Sequence, residues 1–247
     1  MSYFNNHAHT EYSNLRLLDC INHPEELIDK AIELGLTGIA ITDHESLSSH
    51  MRVNKYAKKL QETHPEFTVA LGNEIYLTDT RDMGQKYYHF ILLAKNEHGY
   101  RGLKELSSIA WTNSYYDRGM ERVPLLKSEL QEVMQRFKGD IIGTTACIGG
   151  ELGSSILNLD ACEKANDTDN AYRYHRQIID FMEFCISVFG KDDFYVECAP
   201  ASNSDQITAN KRMLKIAQAF DVKMCVGTDA HYLTKEDRYV HKSYLNS

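Results

Sequence analysis

His7 and His9 are separated by a single residue at the end of a candidate strand, Tyr3–His9. Alternation places residues i and i+2 on one face of a strand, so both imidazoles can grip one metal ion. Near the other end of the chain, Asp229-Ala230-His231 repeats that spacing. Between these pairs, apolar runs meet metal-competent residues again and again. Ile39-Ala40-Ile41-Thr42 runs into Asp43-His44, Val69-Ala70-Leu71-Gly72 into Asn73-Glu74, and Ile141-Ile142-Gly143-Thr144-Thr145 to Cys147. His89 opens the apolar run from Phe90 to Ala94. Any one of these reads equally well as a cap or a polar strand end. Their recurrence on six strands points to imidazole, carboxylate and thiolate ligands gathered from strand ends, and so to metal-dependent hydrolysis.

The elements that must position these side chains alternate along the chain. Strands are predicted at Tyr3–His9, Gly38–Thr42, Thr68–Leu77, Tyr88–Ala94, Asp140–Thr144, Phe194–Cys198 and Lys223–Thr228, each short and rich in β-branched or aromatic residues or bounded by turn residues. Helical periodicity is read over Pro24–Leu34, Leu126–Phe137, Tyr172–Phe189 and Asn203–Phe220, with Pro24 at a first helical position and Asn203 or Ser204 as a cap. Strands alternating with helices imply βαβ units and a parallel sheet. Seven such strands fit a closed barrel better than a small open sheet, with a doubly wound sheet as the alternative. In a closed barrel the first and last strands are neighbours, so His7/His9 and Asp229/His231 converge. Neither a Gly-x-Gly-x-x-Gly nor a Walker-type loop follows any strand, which removes the usual nucleotide-cofactor readings.

With 247 residues, 43% hydrophobic and 25% charged, the chain reads as one soluble domain over 1–247. No apolar run approaches a membrane span and no signal peptide opens the chain, so a cytoplasmic protein without membrane partners is expected. Its six cysteines are scattered, as expected of reduced thiols. A net charge of −8 argues against broad electrostatic capture of nucleic acid, although bound cations change the local balance.

Taken together, HAHTEYS (7–13), AITDH (40–44), GNE (72–74), HFILLAKNEHGYRGL (89–103), ACIGGEL (146–152) and GTDAHYL (227–233) resemble the PHP (polymerase and histidinol phosphatase) domain, as found at the amino terminus of bacterial DNA polymerase III α subunits. The resemblance covers essentially the whole chain. It implies an α/β fold, a distorted seven-stranded (βα)7 barrel, holding up to three divalent ions. By position, His7, His9, Glu74 and Asp229 would hold the first ion. Glu74 would bridge to a second held by His89 and Cys147, and Asp19, His44 and His231 would hold a third. Asp19 lies further from the histidine pair than in many relatives, and its other reading is a solvated loop carboxylate. Cys147 is otherwise a small buried hydrophobe. Mixed imidazole, carboxylate and thiolate ligands suit Zn, Mn or Fe better than Mg or Ca.

All nine matching positions carry ligand-type residues, which favours a working enzyme over a scaffold. The activity implied is metal-dependent phosphoester hydrolysis, a 3′–5′ exonuclease of proofreading character. Glu74, Asp229 and His9 form the catalytic group, and Arg122, Arg118 and Arg81 are candidate phosphate contacts. DNA, single-stranded or at a 3′ end, is the expected partner, with a polymerase module or replisome subunits beside it. The chain reads as an amino-terminal fragment of a longer polymerase III α-type protein, and no polymerase palm fits within it. Alternatives are a small-molecule phosphatase of the histidinol-phosphate type, an amidohydrolase-like barrel, and a non-catalytic structural module. Among the other histidines, His23 and His64 read as turn or cap residues, His98 as a loop residue, and His175 and His241 as helix positions. His50 lies close enough in sequence to His44 to approach the site. Trp111 and the tyrosines read as packing.

Overall fold

The computed structural model describes residues 3–15, 18–117, 119–200 and 202–246. Its strands are β1 (Phe4–Asn5), β2 (Gly38–Ile41), β3 (Thr68–Thr78), β4 (Tyr88–Ala94), β5 (Tyr115–Asp117), β6 (Met120–Arg122), β7 (Pro124–Leu126), β8 (Ile141–Thr144), β9 (Phe194–Cys198) and β10 (Lys223–Val226). Its helices are α1 (Pro24–Glu33), α2 (His50–Leu60), α3 (Glu97–Thr112), α4 (Lys127–Phe137), α5 (Glu151–Lys164), α6 (Thr168–Phe189), α7 (Ser204–Phe220) and α8 (Arg238–Leu245).

Seven strands form a nearly closed, distorted barrel in the order β1-β2-β3-β4-β8-β9-β10, with β7 paired to β3 beside it. The seam is closed by a parallel bridge between Ala8 and Ala230. There the His9 N–H donates to the Ala230 carbonyl at 3.0 Å, and Asn5 Nδ2 donates to Thr228 Oγ1 at 2.7 Å. First and last strands therefore meet, as closure requires.

The sheet is not wholly parallel, contrary to the expectation from alternation. β4 runs antiparallel to both β3 and β8. The connection through residues 79–87 is shorter than the dozen or more residues a parallel crossover needs, so the chain reverses instead. β1 is also shorter than Tyr3–His9. Past Asn5 the backbone leaves the β2 ladder to serve both neighbours, the Ala8 carbonyl accepting from the Thr42 N–H at 2.9 Å while His9 turns to Ala230.

Alternation decides what lies inside the barrel. Ala40 and Ala146 pack with Ile91 and Leu93, and with Phe4, Ala70 and Ile142, to plug its interior. Gly72 makes room for this plug, since a Cβ there would lie 2.5 Å from Leu93. Outside, α3 to α6 bury Leu103, Leu106, Leu130, Ile156 and Phe181 against the sheet, each such side chain contributing about 1.5–3 kcal/mol. The predicted helices are present: α1 starts at Pro24 as expected, and α4 and α7 start one residue later than expected. α6 begins earlier than expected because Asp167 caps it, accepting from the Asn170 N–H at 3.1 Å, and Asn203 caps α7 through the Gln206 N–H at 2.8 Å. Helices α2, α3, α5 and α8 are additional. No described helix is long and apolar enough to cross a membrane, and all six cysteines are free.

Candidate metal centre

The strand-end residues converge at one rim of the barrel. His7, His9 and Glu74 are fully buried, whereas the side chains of Asp229 and His89 are 29% and 32% exposed and mark the mouth. His7 Nε2 and His9 Nε2 face each other at 3.0 Å. Asp229 Oδ1 lies 3.2 and 3.1 Å from the same two nitrogens, and Glu74 Oε2 lies 2.7 and 3.4 Å from them. A tetrahedral shell with bonds of about 2.0–2.1 Å sets its ligand atoms about 3.3 Å apart. The four side chains therefore already stand at the spacing of a coordination shell.

Glu74 divides its carboxylate. While Oε2 faces His7 and His9, Oε1 lies 2.6 Å from His89 Nδ1 and 3.0 Å from His44 Nδ1. Cys147 Sγ is 3.8 Å from that same His89 nitrogen. A third group forms around Asp19, whose Oδ2 is 3.3 Å from His44 Nε2 and 3.4 Å from His231 Nε2. The His9 ring stacks on His44 at 4.1 Å and tilts against His231 at 4.5 Å. All nine candidate ligands thus lie in three adjoining clusters.

Glu74 Oε1, Asp229 Oδ1 and His44 Nδ1 are buried but make no hydrogen bond, despite the nearby nitrogens and oxygens. Lone pairs that crowd without pairing fit a divalent cation better than they fit one another. Electrostatics agree. Burial opposes charge on His7, yet Asp229 and Glu197 raise it well above its ordinary value. Burial likewise opposes, but Glu74 and Asp19 raise His44 to about 10. Against the same penalty, His89 and His44 hold Glu74 well down, and His7 and His9 hold Asp229 down. His9 is lowered by burial and by its cationic neighbours. Burial and the negative charges of Asp229 and Glu74 push the Cys147 thiol up, so a thiolate there requires a cation.

Three of the five non-glycine residues with left-handed backbone among the described residues lie at the same rim. Glu45, Ala146 and Asp229 adopt left-handed φ of 52°, 55° and 50°, beside or at His44, Cys147 and the Asp229 carboxylate. Non-glycine residues are held this way where the surroundings over-determine them.

The supporting layer was only partly anticipated. Glu197, buried on β9, takes His7 Nδ1 at 2.6 Å and also accepts from Thr144 Oγ1 and from Asn6 Nδ2. A lone acid inside an apolar strand was its only signal. Asp43 accepts from Ser13 Oγ at 2.9 Å, and Ser13 Oγ lies 3.3 Å from His9 Nδ1, so a relay orients His9. His241, expected as an ordinary helix position, reaches from α8 to within 3.5 Å of Asp19 Oδ1 and packs on His231. His50 does not approach the cluster: its Nε2 lies 2.9 Å from the Gly72 carbonyl, away from the ligands. Trp111 packs as expected, with its Nε1 donating to the Glu45 carbonyl at 2.7 Å.

The three candidate arginines fare differently. Arg122 stands over the Tyr87 ring at 5.6 Å. Arg81 is held by Glu129 at 2.6 Å and by the Pro124 carbonyl at 3.3 Å. Arg118 lies outside the described residues.

Comparison with known proteins accords with this geometry. The chain is 42% identical over 252 residues to the DNA-directed DNA polymerase of Bacillus phage SPbeta, covering 98% of this chain and 19% of that one. It is 31% identical over 238 residues to the DNA polymerase III subunit alpha of Borreliella burgdorferi, covering 94% of this chain and 18% of that one. The chain thus spans about a fifth of the length of these relatives. A solved structure from Bifidobacterium adolescentis, described as a metal-dependent phosphoesterase, superposes with a TM-score of 0.53 at 17% identity, covering 95% of this chain and 89% of that one, and so shares the fold. The PHP domain model matches residues 5–201, and the chain belongs to that family.

Proposed function

We propose that this chain is a metal-dependent phosphoesterase acting on DNA as a 3′–5′ exonuclease. The observation that carries the reading is the divided carboxylate of Glu74, whose two oxygens face two separate sets of imidazoles. Sharing one carboxylate is how adjoining ions are held close enough to act on a single phosphate. His7, His9, Glu74 and Asp229 would hold the first ion, His89 and Cys147 the second with Glu74, and Asp19, His44 and His231 the third. Zn, Mn or Fe suit this donor set.

Divalent ions in these positions supply Lewis acidity and make a water acidic enough to act as nucleophile near neutral pH. The chain does the rest. Glu197 fixes the His7 ring and leaves its Nε2 facing Glu74, and the Ser13–Asp43 relay does the same for His9. Burial of His7, His9 and Glu74 keeps bulk water from the inner side, so a phosphate approaches from the Asp229 and His89 side. Arg122, which stands over the Tyr87 ring, would take a non-bridging phosphate oxygen with its planar fork. The polymerase relatives support DNA as the substrate and a polymerase module as the partner, and bound divalent cations would offset locally the acidity of a chain of net charge −8.

The test is degradation of 5′-labelled single-stranded DNA with Mn²⁺ or Zn²⁺, beside Asp229→Ala. A ladder of shortening products absent in the variant is expected. Intact DNA after incubation with metal-loaded protein would overturn the exonuclease reading and direct attention to small phosphate esters.

A further inference from the structure

Packing gives α8 little hold on the barrel. None of its residues is buried, none belongs to a core cluster, and Tyr239 and Leu245 are 80% and 58% exposed. Its start is tied within the segment itself, where the Asp237 carboxylate accepts from the Thr234 N–H at 2.9 Å and from the Thr234 hydroxyl at 2.8 Å. One side chain of α8 nevertheless points at the candidate ligands. His241 Nε2 is buried, makes no hydrogen bond, and stands 3.5 Å from Asp19 Oδ1.

That distance is informative beside two others. Asp19 Oδ2 lies 3.3 Å from His44 Nε2 and 3.4 Å from His231 Nε2. Three imidazole nitrogens thus surround one carboxylate at nearly equal range. An N–H donor on a carboxylate oxygen settles at about 2.9 Å, whereas ligand atoms around one tetrahedral ion stand about 3.3 Å apart. The rings are evenly set as well, His231 lying 5.7 Å from His44 and 5.6 Å from His241. Asp19 and two histidines would leave one tetrahedral position open. His241 is the group that fills it.

We propose that His241 is the fourth protein ligand of the third ion, and that this ion fastens α8 to the barrel. The proposal rests on the metal reading above and separates the roles of the ions. A shell of four protein ligands is closed, as in structural sites, while catalytic sites keep a position for water. The Asp19 ion therefore holds structure, and the chemistry belongs to the ions that share Glu74. Linkage makes the effect mutual: the docked helix tightens the ion by the factor by which the ion favours docking.

The probe is Zn²⁺ returned to the chelated whole chain, with amide hydrogen exchange of residues 238–246 read by mass spectrometry and α3 as the reference. In wild type Zn²⁺ should slow exchange in α8 about tenfold or more, and far less in α3. His241→Ala should bind the Asp19 ion about 10–100-fold more weakly and keep α8 exchanging fast at saturating Zn²⁺. His241→Gln offers Asp19 a hydrogen-bond donor in place of a ligand nitrogen and should fail in the same way. Thermal melting checks that both variants fold. A glutamine variant that behaves as wild type would reduce His241 to a hydrogen-bond partner and overturn the assignment. Exchange in α8 indifferent to Zn²⁺ or to His241→Ala, in a chain that takes up the ions, would overturn the fastening and leave the metal reading standing. No uptake of Zn²⁺ would overturn both. Protection of α8 by Zn²⁺ through His241, with DNA left intact, would uphold the ligand and sink the exonuclease reading alone.

Discussion

Glu197 holds His7 by its Nδ1 at 2.6 Å, and the opposite ring nitrogen of His7 faces Glu74 at 2.7 Å. A carboxylate behind a histidine fixes both its tautomer and its tilt. Glu197→Ala should therefore weaken divalent-ion affinity about 10–100-fold and destabilise the fold by about 1–3 kcal/mol, since a buried imidazole nitrogen loses its partner. Competition titration against a metal-chelating dye reads the first effect and chemical denaturation the second. Unchanged affinity would remove Glu197 from the site.

Gly227 touches the same pair. A Cβ at this position would lie 2.0 Å from Glu197 Oε1 and 2.9 Å from His7 Cβ. Gly227→Ala should push the carboxylate off His7, costing about 1–3 kcal/mol by overpacking and lowering metal affinity in step with Glu197→Ala. Melting temperature and metal titration of the single and double variants check this: the two losses should not add, because both act through one contact.

The Asp19 cluster predicts a selective loss. Asp19→Ala should remove a single ion from the metal content of the purified protein and leave the His7/His9 centre filled. His241→Ala, which strips one neighbour from Asp19, should weaken that ion without abolishing it. Elemental analysis after limited chelation decides between this and a solvated Asp19, which would leave the content unchanged.

A pH effect is expected at a buried carboxylate that is not one of the candidate ligands. Glu151 is buried and lies 2.8 Å from Lys127, which also meets Asp79 at 3.1 Å. Burial raises the Glu151 pKa above 4.5 despite that lysine. An acid with a raised folded pKa binds its proton more tightly in the folded state, so its contribution to stability declines as pH climbs from 4.5 through the raised value. Glu151→Gln should flatten that part of the melting-temperature profile. A profile identical to wild type would show that the carboxylate is not desolvated.

Much of this architecture was legible because the candidate ligands sit at strand ends, where period-two alternation and residue type speak together: His7/His9, Glu74 and Asp229/His231 stood out as a convergent set. Glu197 did not, because nothing in the sequence says that a lone acid in Phe194–Cys198 points inward rather than out. The reversal of β4 was equally silent, since an apolar strand reads the same in either direction and only the short 79–87 connection betrays it. His241 was invisible because its partner Asp19 is more than two hundred positions away, and side-chain type on a helix does not reveal which loop it faces.

The seam has a further consequence, for the order in which the molecule comes into being. Asn5 and Thr228 close it across 223 positions of chain, and contacts so distant in sequence form late, because their loop entropy must be met before they return anything. The earlier strands, with the plug of Ile91 and Leu93, can assemble as an open sheet while residues 227–231 are still absent. His7 and Glu74 then wait without Asp229. During synthesis Asp229 and His231 therefore join the other candidate ligands only after the strands that carry those ligands are in place.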